Sequence, residues 1–238
     1  MTVALIIAGG RGLRMGQDVP KQFFIVKDKP VLIYTLESFQ ASPEIDAIEV
    51  VCLHGWEAML EAYANQYGIH KLRWIVPGGD SGQESIRNGV TCLESYCTED
   101  DIIVIHDGIR PLVDEYILSD VIRVCREKGN AVSSLPYNEQ IFVTANGKDT
   151  KQYIPRETLR RVVTPQAYHF GRLMRAYKEA FSKGIGTAGS SYTNTMMAEL
   201  GETLYFAAGS DRNIKLTTKE DVALFKAYLE MDKKLQLK

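Results

Sequence analysis

Short apolar runs alternate along the chain with segments in which apolar residues recur at helical spacing. Because this alternation is typical of βα units, we expect an α/β fold with a single doubly wound, mostly parallel sheet. The predicted strands are Val3–Ala8, Ala47–Leu53, Leu72–Val76, Ile102–Ile105, Ala131–Leu135 and Leu204–Ala208. The predicted helices are Val31–Gln40, Trp56–Tyr67, Glu84–Ser95, Tyr116–Arg126, Phe170–Ser182 and Lys219–Lys233.

The alternation breaks near Pro136. From Gln140 to Arg161, two extended segments flank Asn146-Gly147. This pair favours a type I′ hairpin turn, because both central residues of that turn need a positive φ. The segments show little apolar alternation of their own, so we predict that they pack against another subunit; a disordered surface hairpin is the alternative. The resulting prediction is one domain over residues 1–238, with a projecting hairpin arm at about 138–160.

Charge and composition exclude several classes of protein. The 238 residues include 28 Lys plus Arg and 30 Asp plus Glu, for a formal net charge of −2. Such a balance, without a long basic run, argues against nucleic acid or an acidic membrane as the main partner. No apolar run approaches the ~18 residues of a membrane span, and the first residues lack the features of a signal peptide. We therefore expect a cytoplasmic protein without a nucleic-acid or membrane partner.

Cysteine and histidine spacing indicates neither a disulfide framework nor a zinc site. The four cysteines form no CxxC pair, and the four histidines are scattered along the chain. We expect the cysteines to be single thiols packed in helices and strands.

The most informative segment follows the first predicted strand. It reads Ala8-Gly9-Gly10-Arg11-Gly12-Leu13-Arg14-Met15-Gly16 and continues after a short gap with Pro20-Lys21-Gln22-Phe23. Glycines directly after a buried strand let backbone N–H groups approach a phosphate closely, and Arg11, Arg14 and Lys21 add positive charge. The spacing fits neither the Walker pattern nor the dinucleotide fingerprint GxGxxG. The loop therefore predicts a phosphate-binding site but disfavours a dehydrogenase.

A second group of polar residues follows the predicted strand Ile102–Ile105. The segment reads His106-Asp107-Gly108-Ile109-Arg110-Pro111. In open parallel sheets, ligands bind beyond the carboxyl ends of the strands, where Asp107 is expected. A carboxylate beside a polyphosphate needs an intervening cation, so Asp107 is a candidate for binding Mg²⁺ or a substrate hydroxyl. A capping or turn role for Asp107 is the alternative.

Together with Thr164-Pro165-Gln166 and Asn213-Ile214-Lys215-Leu216, these segments resemble the cytidylyltransferase family of the isoprenoid and ribitol phosphate pathways. Its members act on 2-C-methyl-D-erythritol 4-phosphate or on ribitol 5-phosphate. The match runs in order from Ala8 to Asp221. The resemblance implies a Rossmann-like nucleotidyltransferase fold and a Mg²⁺-dependent transfer of CMP from CTP to a polyol phosphate, with release of pyrophosphate.

The resemblance also implies roles for individual residues. Arg14 and Lys21 would stabilise the transition state, while Arg156 and Lys215 would position the acceptor phosphate for attack. The implied nucleotide-binding residues are Ala8, Gly9, Gly10, Gly12, Gly79, Ser85, Asp107 and Lys215, with Gly79 and Ser85 at the cytosine. The implied acceptor-binding residues are Asp107, Arg110, Gln140, Arg156 and Thr164. In relatives the arm crosses to a neighbouring subunit, which implies a homodimer with shared active sites.

Three positions depart from the pattern of the enzymes that use methylerythritol phosphate. Gly82 stands where Arg is common, Glu139-Gln140 where Asp-Thr is usual, and Thr193-Asn194-Thr195 where Thr-Asp-Asp or Thr-Asp-Glu is usual. Because two of these changes fall in the acceptor region, the acceptor stays open between the two polyol phosphates. The Ala-Gly-Gly opening favours ribitol 5-phosphate.

Two further hypotheses remain at this point. The first is a nucleotidyltransferase that uses another nucleoside triphosphate and a sugar phosphate, because the glycine-rich opening is shared more widely. The second is a nucleotide-binding module without catalytic activity.

Overall fold

The computed structural model describes residues 1–10, 19–187 and 192–236. Its strands are β1 (Thr2–Ala8), β2 (Ile25–Val26), β3 (Lys29–Pro30), β4 (Ala47–Cys52), β5 (Leu72–Pro77), β6 (Ile102–Asp107), β7 (Asn130–Pro136), β8 (Ile141–Val143), β9 (Gln152–Ile154), β10 (Arg160–His169) and β11 (Phe206–Ala208). Its helices are α1 (Val31–Ala41), α2 (Glu57–Gln66), α3 (Gly82–Cys92), α4 (Glu115–Lys128), α5 (Phe170–Lys183), α6 (Thr193–Glu199) and α7 (Lys219–Gln236).

Seven strands form the central sheet in the order β11-β7-β10-β6-β1-β4-β5. The pairs β1–β4, β1–β6, β4–β5 and β7–β11 are parallel, whereas β10 runs antiparallel to both of its neighbours. Helices cover both faces, with α1, α2 and α4 on one face and α3, α5 and α6 on the other. The prediction of a doubly wound, mostly parallel α/β fold is therefore confirmed.

Alternate residues of the strands divide the core into two layers, as the pleat of a sheet requires. In β1, Ala4 and Ile6 face α1, α2 and α4, whereas Val3 and Leu5 face α3, α5 and α6. A third, smaller cluster joins α7 to the residues around Val26, Val31 and Leu216. The parallel strands β1, β4 and β6 are thus buried on both sides, which explains their continuous apolar runs, whereas the edge strand β5 is half-exposed.

The predicted strands and helices all occur, with ends displaced by a few residues. The strand predicted to end at Ile105 continues to Asp107, so this carboxylate belongs to the last residue of β6. Strand β10 and helix α6 were not predicted. Pro165 lies within β10, at the register shift between Val163 and Gln166, and a proline argues against a central strand because it has no N–H to donate.

The arm is a hairpin of β8 and β9, which form a two-stranded sheet of their own. The predicted type I′ turn is wrong. Gly147 has a φ of 72°, but Lys27 is the one non-glycine residue with positive φ in the described ranges, so Asn146 does not adopt that conformation. Instead, Asn146 Oδ1 accepts hydrogen bonds from the backbone N–H groups of Lys148 and Asp149. The side chain of Asn146, rather than its backbone, shapes the turn.

No helix within the described ranges is long and apolar enough to cross a membrane.

One buried carboxyl group lies in the core away from the carboxyl edge of the sheet. Glu49 of β4 is fully buried, and neither of its oxygens has a hydrogen-bond partner of normal geometry in the described structure. Burial raises the pKa of Glu49 to about 8, with a smaller opposing effect from the Cys92 thiol. The side chain is therefore uncharged in the folded protein at neutral pH, because an unpaired buried carboxylate is costly.

Glu49 predicts a specific dependence of stability on pH. The folded protein holds this proton up to about pH 8, whereas the unfolded chain releases it near pH 4.5. The free energy of unfolding should therefore fall as pH rises between these values, by at most about 1.4 kcal/mol per pH unit. Urea unfolding between pH 5 and 9 should show this slope in the wild type and a flatter curve in Glu49→Gln. Glu61→Gln, which removes an exposed carboxylate of α2, is the matched control, and an equal slope in wild type and Glu49→Gln would contradict the assignment.

Candidate active site

The site lies at the edge of the sheet where the parallel strands end. Strands β1 and β6 are adjacent, and Ile7 pairs with Asp107 in their register. The glycine loop that follows Ala8 therefore begins beside the last residue of β6. Both segments are predicted to bind a ligand, and the sheet topology brings them together.

The loop after β5 crosses the end of β4 and meets the glycine loop. Gly78 N–H donates to the Cys52 carbonyl over 2.8 Å, and a Cβ at Gly78 would lie 3.3 Å from the Gly9 Cα. A Cβ at Gly79 would lie only 2.5 Å from the Glu84 Cβ, so this backbone must lack a side chain. The Ser85 hydroxyl accepts a hydrogen bond from Gly79 N–H over 3.0 Å. The predicted nucleotide-binding residues of these two loops are thus neighbours.

Gln22 fixes the described part of the glycine loop. Its side chain is 2% exposed, and its amide nitrogen donates to the carbonyl oxygens of Ala8 at 2.7 Å and Gly10 at 3.1 Å. Lys21, which precedes it, is half-buried at the start of a 3₁₀ turn. The two hydrogen bonds hold the Ala8 and Gly10 carbonyls toward Gln22. Arg11, Gly12 and Arg14 lie outside the described residues.

Asp107 is the centre of a cluster of charged side chains. Arg110 Nε donates to its Oδ2 over 2.8 Å, and Lys215 Nζ donates to its Oδ1 over 3.1 Å. The Thr164 hydroxyl accepts a hydrogen bond from Asp107 N–H over 3.2 Å and lies 3.4 Å from Oδ2. Four of the predicted site residues, from three separate segments of the chain, therefore meet at one point.

The charges within the cluster control the protonation of Asp107. Burial alone would raise the pKa of this carboxyl, but the positive charges of Lys215 and Arg110 outweigh burial and lower it. Asp107 is therefore ionised at neutral pH. One carboxylate against two cations leaves the cluster with one net positive charge, which suits an anionic ligand.

Two buried side chains hold the segments that carry this cluster. His106 is fully buried, and burial lowers its pKa to about 4, so its ring is neutral and its Nε2–H donates to the Arg110 carbonyl over 3.1 Å. Asn213 Nδ2 donates to the Thr164 carbonyl over 2.7 Å, and the Arg110 guanidinium donates to the Asn213 carbonyl over 2.7 Å. The backbone at Arg110, Thr164 and Asn213 is thereby joined into one frame.

The arm residues Gln140 and Arg156 lie elsewhere in this single chain. Both are exposed, and both line a cavity of about 450 Å³ on the arm. Arg156 has a long hydrogen bond of 3.5 Å to the Asn138 carbonyl. Over the described ranges, no hydrogen bond or ion pair joins the arm to Asp107, Arg110 or Lys215. Gln140 and Arg156 were predicted to bind the acceptor together with Asp107. The structure of one chain does not bring them to the Asp107 cluster.

The positions that depart from the family pattern can also be located. Gly82 is the first residue of α3, and a Cβ there would meet no atom within 4 Å. Glu139 and Gln140 are exposed at the base of the arm. Thr193 is buried at the start of α6, and the ring centre of the preceding Tyr192 lies 5.9 Å from Lys215 Nζ. The third departure therefore borders the Asp107 cluster.

The described residues fit a divalent cation only in part. They include no group of three His, Cys, Asp or Glu side chains that could hold a metal ion. Asp107, which is 20% exposed, offers one carboxylate whose oxygens already bind Arg110 and Lys215. Mg²⁺ in nucleotide sites is commonly held by one or two carboxylates together with substrate phosphates. Asp107 therefore suits a metal ion that arrives with a polyphosphate.

Several residues of this frame were not assigned a role from the sequence. Gln22, His106 and Asn213 each stand inside a segment that the resemblance singled out, one or two positions from a predicted site residue. Their side chains contact backbone carbonyl groups, and no sequence pattern specifies such contacts. Tyr192 carried no signal at all, because α6 was not predicted.

The sequence and the fold of this chain are similar to those of known proteins. Residues 2–231 match the family described as 2-C-methyl-D-erythritol 4-phosphate cytidylyltransferase. A ribitol-5-phosphate cytidylyltransferase of Lacticaseibacillus paracasei is 59% identical over 96% of this chain and 98% of its own length. A 2-C-methyl-D-erythritol 4-phosphate cytidylyltransferase of Syntrophus aciditrophicus is 35% identical over 97% of this chain and 96% of its own length.

A solved structure shares the fold. The 4-diphosphocytidyl-2C-methyl-D-erythritol synthase of Anaerococcus prevotii superposes with a TM-score of 0.82 at 22% identity, covering 96% of each chain. The family match spans nearly the whole sequence, and it includes the glycine loop, the Asp107 cluster and the arm. This chain belongs to the 2-C-methyl-D-erythritol 4-phosphate cytidylyltransferase family.

Proposed function

We propose that this chain transfers CMP from CTP to ribitol 5-phosphate and releases pyrophosphate. The observation that carries the choice of acceptor is the 59% identity to a ribitol-5-phosphate cytidylyltransferase, against 35% to an enzyme named for methylerythritol phosphate. The departures at Glu139-Gln140 and Thr193-Asn194-Thr195 from the methylerythritol pattern support the same choice.

The proposed reaction exchanges one phosphorus–oxygen bond for another. An oxygen of the acceptor phosphate attacks the α-phosphorus of CTP, and the bond from this phosphorus to the bridging α–β oxygen breaks, with its electron pair leaving on pyrophosphate. The nucleophile is already an anion, so no general base is needed. Catalysis then rests on positioning two polyanions and neutralising the charge between them.

The nucleotide would bind across the two glycine-containing loops. The close approach of Gly9 to Gly78 leaves no room for side chains between the two loops, so a nucleotide could approach their backbone without obstruction by side chains. Gln22 would keep the first loop in its binding conformation through its hydrogen bonds to Ala8 and Gly10. Lys21 starts the turn that Gln22 anchors. From the family resemblance, we assign transition-state stabilisation to both Lys21 and Arg14.

The acceptor phosphate would bind at the Asp107 cluster. Asp107 holds Lys215 and Arg110 in place, so these cations need not reorganise when an anion arrives. Lys215 keeps N–H donors beyond the one that Asp107 accepts, and its side chain is 32% exposed. We propose that Asp107 also holds a Mg²⁺ ion that enters with CTP, where the ion would neutralise triphosphate charge.

We further propose that the arm completes the site of a second subunit in a homodimer. A two-stranded hairpin is at best marginally stable alone in water, yet Phe142 and Tyr153 are 56% and 69% exposed on this one. Exposed apolar side chains on a projecting element favour burial against a partner. Pairing across subunits would also bring Gln140 and Arg156 to an Asp107 cluster.

Turnover with a panel of substrates tests the function. Pyrophosphate release with CTP should be at least about 100-fold more efficient, as kcat/KM, for ribitol 5-phosphate than for 2-C-methyl-D-erythritol 4-phosphate. Activity should require Mg²⁺ and should fall in the order CTP above UTP, GTP and ATP. Lys215→Ala, purified in parallel, controls for contaminating enzymes. Faster turnover of methylerythritol phosphate would refute the acceptor, and preference for another base would refute the nucleotide.

Gln22→Glu should lower kcat/KM for CTP by about tenfold to hundredfold. The substitution keeps the shape of the side chain but replaces the donating amide with a carboxylate oxygen that faces two carbonyl oxygens. Initial-rate measurements at varied CTP would show the loss. Gln40→Glu is the matched control, because Gln40 Oε1 accepts from Lys71 N–H and a glutamate can still accept there. An unchanged CTP dependence in Gln22→Glu would remove Gln22 from the site.

Subunit mixing tests the arm. If Arg156 acts on the neighbouring subunit, a heterodimer of Arg156→Ala and Lys215→Ala chains contains one intact site and one doubly altered site. Random exchange of two inactive variants should then restore about one quarter of wild-type activity, because half of the dimers are mixed and each has one working site. The unmixed variants are the controls. No recovery after exchange, or a monomer in light scattering at full activity, would contradict the shared site.

A further inference from the structure

A chain of hydrogen bonds runs through the core between α3, α5 and α6. Its members are Gln83, Tyr177 and Thr193, which are 3%, 2% and 1% exposed. The Tyr177 hydroxyl lies 3.0 Å from Gln83 Oε1 and 2.8 Å from Thr193 Oγ1. Gln83 Nε2 donates to the Gly186 carbonyl over 2.7 Å. Three helices therefore meet at one phenol group, and Gln83 joins them to the segment after α5.

The chemistry of these groups fixes the direction of every hydrogen bond. The Gly186 carbonyl can only accept, so the amide nitrogen of Gln83 faces it and the amide oxygen faces Tyr177. Tyr177 has one proton, which it donates to that oxygen. The Thr193 hydroxyl must then donate to Tyr177. Burial raises the pKa of Tyr177, so the phenol keeps its proton at neutral pH.

The two ends of this chain of hydrogen bonds lie beside the two proposed substrate sites. Gln83 lies between Ser81 and Ser85, and the Ser85 hydroxyl links Gly79 N–H to the Ser81 carbonyl at the proposed nucleotide loop. Thr193 directly follows Tyr192, whose ring faces Lys215 of the proposed acceptor cluster. Tyr177 itself lies in the core and contacts neither loop.

We infer that Tyr177 is a positioning residue that couples the binding of CTP to the binding of the acceptor, an inference that rests on the function proposed above. A nucleotide that orders the start of α3 also orders Gln83 and, through Tyr177, the start of α6 beside Lys215. The acceptor then binds to a site that the nucleotide has already ordered, so less conformational entropy is lost when the acceptor binds. Because binding free energies are linked, the acceptor must strengthen nucleotide binding by the same factor.

Tyr177→Phe tests the coupling, because it deletes the hydroxyl and keeps the ring. Binding of the acceptor is measured by calorimetry with and without α,β-methylene-CTP, which cannot be cleaved at the bond that breaks in the reaction. In the wild type, the analogue should tighten acceptor binding by about fivefold or more, within the usual range of coupling. In Tyr177→Phe this factor should shrink at least threefold, while the affinity for each ligand alone changes less than twofold.

Two further variants separate coupling from general stability. Tyr168→Phe is the matched control, since Tyr168 is also fully buried and donates to Gln166 Oε1 over 2.9 Å, and it should keep the wild-type factor. Gln83→Leu combined with Tyr177→Phe should lose no more coupling than either change alone, as expected for partners in one network.

An unchanged factor in Tyr177→Phe, or an equal loss in Tyr168→Phe, would overturn the inference. The acceptor in these measurements is whichever polyol phosphate the wild-type enzyme turns over. If that compound is not ribitol 5-phosphate, the proposed acceptor fails, while the role of Tyr177 is still decided by the coupling factor.

Discussion

The pairing of Asp107 with Lys215 and Arg110 is the interaction on which the site depends. Asp107 ends a central parallel strand, whereas Lys215 belongs to a segment without regular structure that follows β11. Without the ionised Asp107 at the end of β6, the positive charges of Arg110 and Lys215 would repel each other. The ionised carboxylate makes their proximity favourable and leaves one positive charge over for a substrate. A single acidic side chain thereby turns a sheet edge into a site for anions.

Around this pair, neutral groups keep the backbone in place. His106 stays uncharged because it is buried, and it can therefore donate to the Arg110 carbonyl without adding a third positive charge. Asn213 joins Thr164 to Arg110, and Thr35 of α1 donates to the Gly108 carbonyl over 3.0 Å. These bonds lie beneath the charged groups, in the core, where hydrogen bonds compete less with water. Arg110 therefore belongs both to the charged cluster and to the hydrogen bonds that hold the backbone, whereas His106 and Asn213 add no charge.

Much of the fold and part of the site could be predicted from the sequence, for identifiable reasons. Strands buried on both faces show as apolar runs, and glycine loops and an aspartate after such runs mark the carboxyl edge. Strand β10 could not be predicted, because Pro165 interrupts its pattern and its pairing depends on strands distant in sequence. The turn at Asn146-Gly147 was misjudged because the Asn146 side chain, rather than a pair of positive φ angles, closes it. Contacts such as the hydrogen bond from Gln22 to the Ala8 carbonyl become visible only in the folded structure.

Motifs identify the proposed nucleotide more firmly than the proposed acceptor, because the two sites use different parts of the chain. The proposed nucleotide loops work through backbone groups, and the close approach of Gly79 to Glu84 imposes glycine on the sequence, so the requirement is visible as a motif. The proposed acceptor site works through side chains from β6, β10, the start of α6 and an arm that, in one chain, lies apart from the rest. These side chains come from separate segments of the chain, and we expect their combination in space to select a polyol. Acceptor specificity is therefore a property of the assembled site, and single segments of the sequence carry little of it.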